Sequence, residues 1–370
     1  MAPPRPPEPP RAPVSPPAPA PPRIQPPPPP APPPPPPLQP PPGPRPPEAP
    51  LPGLPGEPAL RRPVFHGRGG SLFGIHIVNV LFTLATLGVY YFWGKTRTRR
   101  YIFSQTEFEG DRFDYHGTGK ELLLGFLKAF LVFFLPIIVL NVAPEVLRAS
   151  ETVKKVVGTL VSIIVFLFVP VAIVGARRYR LSRTSWRGIR FSFRGGAGEL
   201  LRLFIKASIL SALTLGLYYP YFLVHRQAFL ISHSYFGNER FDFNGRGRDL
   251  LGPFVLTLLL TPFTLGLCWI WWVARKRRYL WAHTLFGAAR FQSTVTGGAL
   301  LGLYVVNLLL LVFTLGLAWP WVKVRNINFA FRYLVLAGPL DVARIQQQAQ
   351  YASTTGEGLA GFFDTGFDLA

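Results

Sequence analysis

Long apolar stretches, with no alternation of apolar and polar positions, dominate the chain beyond residue 70. Six of them have 20 residues or more: about 71–93, 121–143, 156–176, 199–222, 250–273 and 299–322. A helix of about 20 apolar residues crosses the hydrocarbon core of a bilayer. Lipid admits only helices or closed barrels, and runs that do not alternate favour helices. The pattern therefore predicts an all-α, multi-pass membrane protein.

Two short motifs recur along these stretches at a spacing of 50 residues. Arg-Phe pairs begin at residues 190, 240 and 290, and Thr-Leu-Gly motifs begin at residues 214, 264 and 314. The first Arg-Phe pair, at residue 112, lies 78 positions before the second pair. This spacing predicts about five tandem units of ~50 residues within a transmembrane repeat domain at 63–340, the second unit being expanded by about 28 residues.

Each unit is predicted to contain the same elements in the same order. An apolar helix ends at Thr-Leu-Gly, where Gly88, Gly216, Gly266 and Gly316 are expected to end the helix in a left-handed conformation. Pro220 and Pro320 fit the start of a second, basic and aromatic helix. Alternating rings in "RFDYHG" and "RFDFNG" then predict a short strand-like segment.

The second helix of four units carries an aromatic, a basic and an aromatic residue four positions apart, which places them on one helix face. We call this set the basic-aromatic stripe: Trp93, Arg97 and Tyr101; Tyr221, His225 and Phe229; Trp271, Arg275 and Tyr279; Trp321, Arg325 and Phe329. Such residues are typical of the membrane–water interface, with the aromatics as anchors. Alternatively, the bases line an internal cavity and bind an anionic substrate or a lipid head group.

Two polar residues, His76 and Asn79, lie within the first apolar stretch. Polar groups inside a membrane are candidates for a binding site, so we include both with the four bases as substrate- or lipid-binding candidates. A hydrogen bond to a neighbouring helix is the favoured explanation for them.

The motifs leave two membrane topologies open. If each unit crosses the bilayer once, its basic segments alternate between the two faces, which conflicts with the positive-inside rule. If each unit is a helical hairpin broken at Thr-Leu-Gly, all strand-like segments share one face, and the basic residues at 275–278 must face protein or water. The hairpin is slightly favoured.

Prolines concentrate at the start of the chain, with 33 of the 42 in the first 60 residues. Residues 1–62 are therefore predicted to be a disordered, polyproline-II-like tail, which is either a spacer or a segment that recruits a protein partner. Residues 341–370 are predicted to form a short soluble C-terminal tail.

The charge and the reactive residues exclude several classes of function. The formal net charge is +21, but the cations stand at the ends of apolar stretches and not on a soluble basic domain, so we expect no nucleic-acid partner. Cys268 is the single cysteine, and the six histidines form no metal-ligand pattern. We found no P-loop, nucleophile elbow or paired catalytic carboxylates. We therefore expect no metal, no cofactor and no enzymatic activity.

The motifs from residue 86 to residue 126, "TLGVYYFWGKTRTRRYIFSQTEFEGDRFDYHGTGKELLLGF", closely resemble the YjgN family of bacterial inner-membrane proteins, which is built around a domain of unknown function. The ending "GEGLAGFFDTGFDLA" is similar to that family's C-terminal signature, although Gly361 and Phe362 stand where a more acidic stretch is expected. The resemblance covers about residues 64–370. It implies a multi-pass protein of the bacterial inner membrane and implies no particular reaction.

Two functions therefore stay open. A transporter or channel for a small polar or anionic solute requires the stripe bases to converge inside the helical bundle. A non-transporting membrane organiser or lipid head-group-binding protein, with a tail that recruits partners from the bilayer surface, requires those bases to lie exposed at the boundary of the lipid.

Overall fold

The structure, a computed structural model, describes residues 60–340 and Ile345. The predicted proline-rich tail therefore lies almost wholly outside the described residues, and the predicted C-terminal tail does so apart from Ile345. Helices make up most of the described chain, but an 11-stranded antiparallel sheet accompanies them. The predicted all-α class is wrong, because the strand-like segments do not stay isolated but pair with one another in this sheet.

The elements are as follows. The helices are α1 (Gly69–Ala85), α2 (Tyr91–Ser104), α3 (Gly119–Ala129), α4 (Leu135–Val146), α5 (Glu151–Ser182), α6 (Ala197–Leu213), α7 (Tyr219–Ser232), α8 (Arg248–Leu260), α9 (Cys268–Ala282), α10 (Gly297–Phe313) and α11 (Trp319–Arg332). The strands are β1 (Leu60–Arg61), β2 (Val64–Phe65), β3 (Thr106–Phe108), β4 (Asp111–Tyr115), β5 (Thr184–Trp186), β6 (Ile189–Phe193), β7 (Ser234–Phe236), β8 (Glu239–Phe243), β9 (Thr284–Phe286), β10 (Ala289–Ser293) and β11 (Leu334–Ala337).

The helices pack as antiparallel hairpins, each of which begins and ends at the sheet. A Thr-Leu-Gly turn joins α1 to α2, α6 to α7, α8 to α9 and α10 to α11. Four of the predicted apolar stretches are therefore divided into two helices each. The fifth hairpin is longer: α3 continues through a π-helical segment, Phe130–Phe134, into α4, and α5 has 32 residues. Among the described residues, these two helical segments are long and apolar enough to cross a membrane individually.

The sheet is a ring whose two ends meet in one short segment. Its strand order is β1-β11-β10-β9-β8-β7-β6-β5-β4-β3-β2. Leu60 in β1 pairs with Ala337, and Phe65 in β2 pairs with Thr106. Since β1 and β2 are separated only by residues 62 and 63, this segment joins the first and last hairpins. Leu60 and Arg61, which the sequence pattern assigns to the tail, are thus part of the sheet.

The helical hairpins also close into a ring, because α1 packs against α11. At this contact the indole of Trp321 lies against Gly69, which has no room for a Cβ atom. Among the described residues, the first helix, α1, therefore packs directly against the last helix, α11.

The two faces of the sheet differ in polarity, as expected when successive side chains point to opposite faces. The arginines of the Arg-Phe pairs are exposed on the outer face: Arg112, Arg190, Arg240 and Arg290. Their phenylalanines form one apolar cluster with the buried Trp186, Phe236, Phe286 and Ile345. This cluster lines a partly open apolar pocket of about 260 Å³. The centre of the ring is therefore lined by aromatic side chains.

Candidate functional site

The threonine of each Thr-Leu-Gly turn bonds to both helices of its hairpin. The Thr86 hydroxyl donates to the carbonyl of Phe82 at 2.7 Å and accepts from the amide of Tyr90 at 2.9 Å. The amide of Gly88 donates to the carbonyl of Thr83 at 2.7 Å. The turns at residues 214, 264 and 314 repeat the threonine bonds. A turn that satisfies these backbone groups internally is suited to lie in lipid.

The leucine of each turn is the first residue with a left-handed backbone, at φ between 48° and 51°. The sequence pattern predicted glycine at that position, but the glycine follows as a second residue of positive φ. We call these leucines the hairpin tips: Leu87, Leu215, Leu265 and Leu315. Their side chains are 93–96% exposed. Large apolar side chains with this degree of exposure are typical of a surface that contacts lipid or another protein.

All four bases of the basic-aromatic stripe, Arg97, His225, Arg275 and Arg325, are exposed. The structure does not gather them into one enclosed site. The tryptophans that precede three of them are also exposed, by 37% for Trp93, 50% for Trp271 and 43% for Trp321. Each stripe therefore presents a ring and, one turn later, a cation on an accessible part of its helix.

The first aromatic residue of each stripe also contacts the next helix in the ring. A glycine at or next to the start of that helix leaves space for the ring: Gly119 for Trp93, Gly247 for Tyr221, Gly297 for Trp271 and Gly69 for Trp321. The three tryptophans are thus both exposed and part of the contact between neighbouring hairpins, whereas Tyr221 is half-buried in that contact.

The last aromatic residue of each stripe is a packing residue. Tyr101 bonds through its hydroxyl to the backbone of Arg68, and Tyr279 donates to the Asp249 carboxylate at 2.7 Å. Phe229 is buried, and the ring of Phe329 lies at a tilt against the ring of Tyr333, with centroids 4.8 Å apart. Each of these four rings thus contacts other parts of the protein, and their predicted place at the membrane interface stays a prediction.

The long hairpin has an equivalent residue, Tyr179, that the stripe pattern missed because no base precedes it by four positions. Its hydroxyl donates to the Glu121 carboxylate at 2.7 Å. Arg183 donates to the same carboxylate at 2.8 and 3.2 Å. Burial disfavours the charge on Arg183, but Glu121 outweighs this effect and raises the pKa of Arg183. Glu121 also completes a capping box with Thr118 at the start of α3. Glu121 therefore has a structural role, because it connects the start of α3 to the end of α5.

His76 and Asn79 lie in contacts between helices. The His76 ring stacks on Trp319 with centroids 5.5 Å apart. Asn79 is buried, and its amide nitrogen donates to the carbonyl of Gly94 at 3.1 Å and to Thr98 at 3.3 Å. Asn79 therefore connects α1 to α2.

An open groove of about 560 Å³ runs along α8 and α9. Leu256, Leu260 and Trp271 supply much of its apolar surface, and Arg275 and Arg278 lie in its lining. This groove brings one of the stripe bases together with a second arginine and a path for an apolar chain. Arg278 was not singled out from the sequence, although it belongs to the basic run at 275–278.

Two further cations were missed because they lie next to stripe residues in sequence but on a different part of the helix. Arg226 follows His225 and Lys276 follows Arg275, and both are partly buried. Only their 50-residue spacing signals the relationship. As for a metal, the described part of the chain contains no group of three or more His, Cys, Asp or Glu residues suited to hold one.

One protein-family model matches the chain in two overlapping parts. The family model described as "Bacterial protein of unknown function (DUF898)" matches residues 61–270 and again residues 252–362. The chain belongs to the DUF898 family. The overlap of the two matches, residues 252–270, contains most of α8 and the turn after it in this DUF898 protein.

Curated relatives of this DUF898 chain are named "Inner membrane protein YjgN". The chain is 33% identical to the protein of Escherichia coli K12 over 130 residues, which is 35% of this chain and 30% of the relative. It is 30% identical to that of Escherichia coli O157:H7 over 153 residues, 41% of this chain and 36% of the relative. For Salmonella typhimurium the identity is 32% over 130 residues, 35% of this chain and 30% of the relative.

The matches thus span about a third of each relative's length. They support the expected location in the bacterial inner membrane. No solved structure matches the chain.

Proposed function

We propose that this DUF898 protein is a non-transporting, multi-pass protein of the inner membrane, built from five tandem units, and that its exposed stripe bases bind the head groups of anionic lipids. The observation that carries the proposal is the joint exposure of the bases Arg97, Arg275 and Arg325 and of the apolar hairpin tips on the same hairpins. If the hairpin tips lie in the hydrocarbon core, the bases lie nearer to the sheet. The lipid head groups are on that side of the bilayer.

The hairpin tips supply the membrane contact. In water, four nearly fully exposed leucines would be unfavourable, at about 1.5–3 kcal/mol each relative to an apolar environment. In lipid the same exposure is favourable, and the threonine bonds satisfy backbone groups that no water could reach. The units then enter the bilayer as hairpins, and their strands share one aqueous face.

The stripe bases supply the lipid specificity. Each Lys or Arg near an anionic membrane surface contributes about 1 kcal/mol of attraction. The groove along α8 and α9 offers a more defined site, because Leu256 and Leu260 suit an acyl chain while Arg275 and Arg278 suit a phosphate. An arginine can form two parallel hydrogen bonds to a phosphate, and such charge-assisted bonds are stronger than bonds to an uncharged group.

Passage of a polar solute has weaker support. The stripe bases are exposed and do not line a common enclosed space, and the cavity at the centre of the sheet has an apolar lining. A polar solute there would lose its hydration without new hydrogen bonds, which costs several kcal/mol. We also propose that the protein is not an enzyme, and that its proline-rich tail recruits a protein partner to the membrane.

The test is retention of phosphatidylglycerol by the full-length protein purified in dodecyl maltoside, quantified by mass spectrometry. We expect a variant carrying Arg97→Gln, Arg275→Gln and Arg325→Gln to retain at least fivefold less phosphatidylglycerol than the wild type. The matched control carries Arg112→Gln, Arg190→Gln and Arg290→Gln on the outer face of the sheet. Equal loss in both variants would show a general effect of net charge and contradict the proposal.

A further inference from the structure

The apolar pocket at the centre of the sheet has room for a further side chain. The half-buried rings of Phe113, Phe191, Phe241 and Phe291 line it, together with the buried Trp186. Its volume is about 260 Å³, whereas an apolar cavity of about 150 Å³ is large enough to hold benzene. At least one more aromatic ring therefore fits between these side chains.

The lining favours an aromatic or aliphatic occupant. The indole nitrogen of Trp186 already donates to two backbone carbonyls, at 3.2 and 3.3 Å, and the Thr106 hydroxyl donates to a third at 2.9 Å. A polar occupant would lose its hydration there at a high cost. A phenyl ring, in contrast, gains tilted contacts of the kind that Phe241 makes with Phe286, whose ring centroids are 4.5 Å apart.

The chain turns towards this pocket after its last strand. β11 ends at Ala337, and Gly338 follows with φ of 114°, a conformation that favours glycine. A Cβ atom at Gly338 would lie 3.1 Å from the backbone of Ala289, and the Gly338 carbonyl accepts a hydrogen bond from Arg61. Two residues later, the side chain of Leu340 lines the pocket. The turn at Gly338 therefore leads the chain to the pocket.

Ile345 lies in the same aromatic cluster. Its side chain is only 9% exposed and packs in the cluster of Trp186, Phe236 and Phe286. These three aromatic residues also line the pocket. The segment that follows Ile345 therefore starts beside the pocket, and this tether gives its side chains a high effective concentration there.

The sequence beyond Ile345 supplies side chains that suit the pocket. The motif "GFFDTGF" at residues 361–367 contains three phenylalanines, at positions 362, 363 and 367. Phe362 follows Ile345 by 17 positions, and a chain of this length can span up to about 60 Å. The motif can therefore return to the pocket, and the entropy lost in closing such a loop rises only slowly with its length.

We propose that the aromatic pocket is the docking site of the chain's own C-terminal segment, residues 341–370. Ile345 is the first contact of this segment, and a phenylalanine at residue 362, 363 or 367 fills the pocket. The corresponding segment of a second copy would compete with one that is already tethered at the pocket, so the occupant comes from the same chain. The stripe bases take no part in this docking.

The first experiment is disulfide crosslinking of the full-length protein in dodecyl maltoside, with Cys268→Ala as the background. Phe291→Cys is combined in turn with a single cysteine at each of the three phenylalanine positions, and the protein is oxidised with copper phenanthroline. The matched control uses Arg290→Cys, because Arg290 is exposed on the opposite face of the same strand. We expect at least one pair to crosslink within one chain, at least threefold more than its Arg290 control.

The second experiment leaves the pocket residues unchanged. The three phenylalanines of the motif are replaced together by serine, and the melting temperature is measured in the same detergent after removal of phospholipid. We expect a decrease of several degrees, because the pocket loses the side chain that fills it. The matched control places three serines elsewhere in the same segment and should melt like the wild type: Gln346→Ser, Gln347→Ser and Gln348→Ser.

Three results would overturn the proposal. Crosslinks that join two chains, which run as a dimer on a non-reducing gel, would assign the pocket to a second copy. Equal crosslinking of the cysteines at residues 290 and 291 would show that the segment is not directed to the pocket. Equal melting temperatures of the serine variant and the wild type would leave the pocket to another occupant, such as an acyl chain. Neither readout depends on retention of phosphatidylglycerol, so these failures are distinct from failure of the proposed function.

Discussion

Tyr179 donates a hydrogen bond of 2.7 Å to the Glu121 carboxylate, and so joins the base of α5 to the start of α3. Tyr279 makes a bond of the same length to Asp249 between α9 and α8. The acidic residues at the helix starts are therefore engaged with the second helix of their hairpin. The carboxylates of Glu121 and Asp249 at these helix starts therefore have a structural role.

The role of Glu121 predicts a large effect of Glu121→Gln on stability. The change removes the charge that balances the partly buried Arg183, so we expect a loss of about 1–3 kcal/mol. The control is Glu145→Gln, because Glu145 is 66% exposed in its contact with Lys154 and should matter by less than about 1 kcal/mol. Thermal unfolding in detergent compares them. Equal melting temperatures for the two variants would show that the Glu121 contacts contribute little.

The hairpin tips predict a specific loss of membrane integration. Replacing Leu87, Leu215, Leu265 and Leu315 together by Asp would place four charges at the tips, at a cost of up to about 2.5–3.5 kcal/mol each if the tips reach the centre of the bilayer. We expect a large fraction of the variant to be extracted from membranes by alkaline carbonate. Ala288→Asp, at an exposed position next to β10, should leave the protein in the membrane fraction. Full retention of the four-Asp variant would place the tips outside the lipid.

The closure of the helical ring predicts opposite outcomes at two adjacent glycines. A methyl group at Gly69 would collide with Trp321, whereas one at Gly70 meets nothing within 4 Å. We therefore expect Gly69→Ala to lower the melting temperature, and Gly70→Ala to leave it unchanged or raise it, since alanine favours helices by up to about 1 kcal/mol. Both variants are measured in the same detergent. A stable Gly69→Ala variant would mean that the contact between α1 and α11 is loose.

The hairpin topology predicts one-sided labelling of the strands. In a Cys268→Ala background, single cysteines at residues 112, 190, 240 and 290 should all react with a membrane-impermeant maleimide from the same face of the inner membrane. The reason is that each helical hairpin returns to the sheet from which it started. Labelling that alternates between the two faces along the series would instead support single crossings. A cysteine at Leu265 serves as the protected control.

Local motifs predicted the helices and strands because the forces involved act over a few residues. The Thr-Leu-Gly break, the helix starts at Pro220 and Pro320 and the strands after each Arg-Phe pair follow from turn geometry and side-chain alternation. The pairing of β1 with β11, which joins the two ends of the sheet, has no such local sequence pattern. Arg61 donates to the carbonyl of Gly338, 277 positions away, and β1 has only two residues, too few to show a period.

For the candidate site, too, the sequence gives local relationships along one helix but not the contacts between helices. A spacing of four places Arg97 and Tyr101 on one helix face, which is as far as the local pattern reaches. Which helix covers that face depends on packing between units, so the buried Phe229 and the internal contacts of Tyr279 could not be foreseen. The buried cluster of Leu223, Leu250 and Trp272 likewise joins three helices whose packing shows only in the folded ring.

The meeting of β1 and β11 has a consequence for biosynthesis. The segment at residues 60–65 leaves the ribosome early, whereas its partner Ala337 is translated more than 270 residues later. Until then the growing sheet carries an unpaired strand at each end, exposed to other nascent chains. Translation of β11, and not insertion of the first hairpins, is therefore the step at which the two ends of this sheet find their partners.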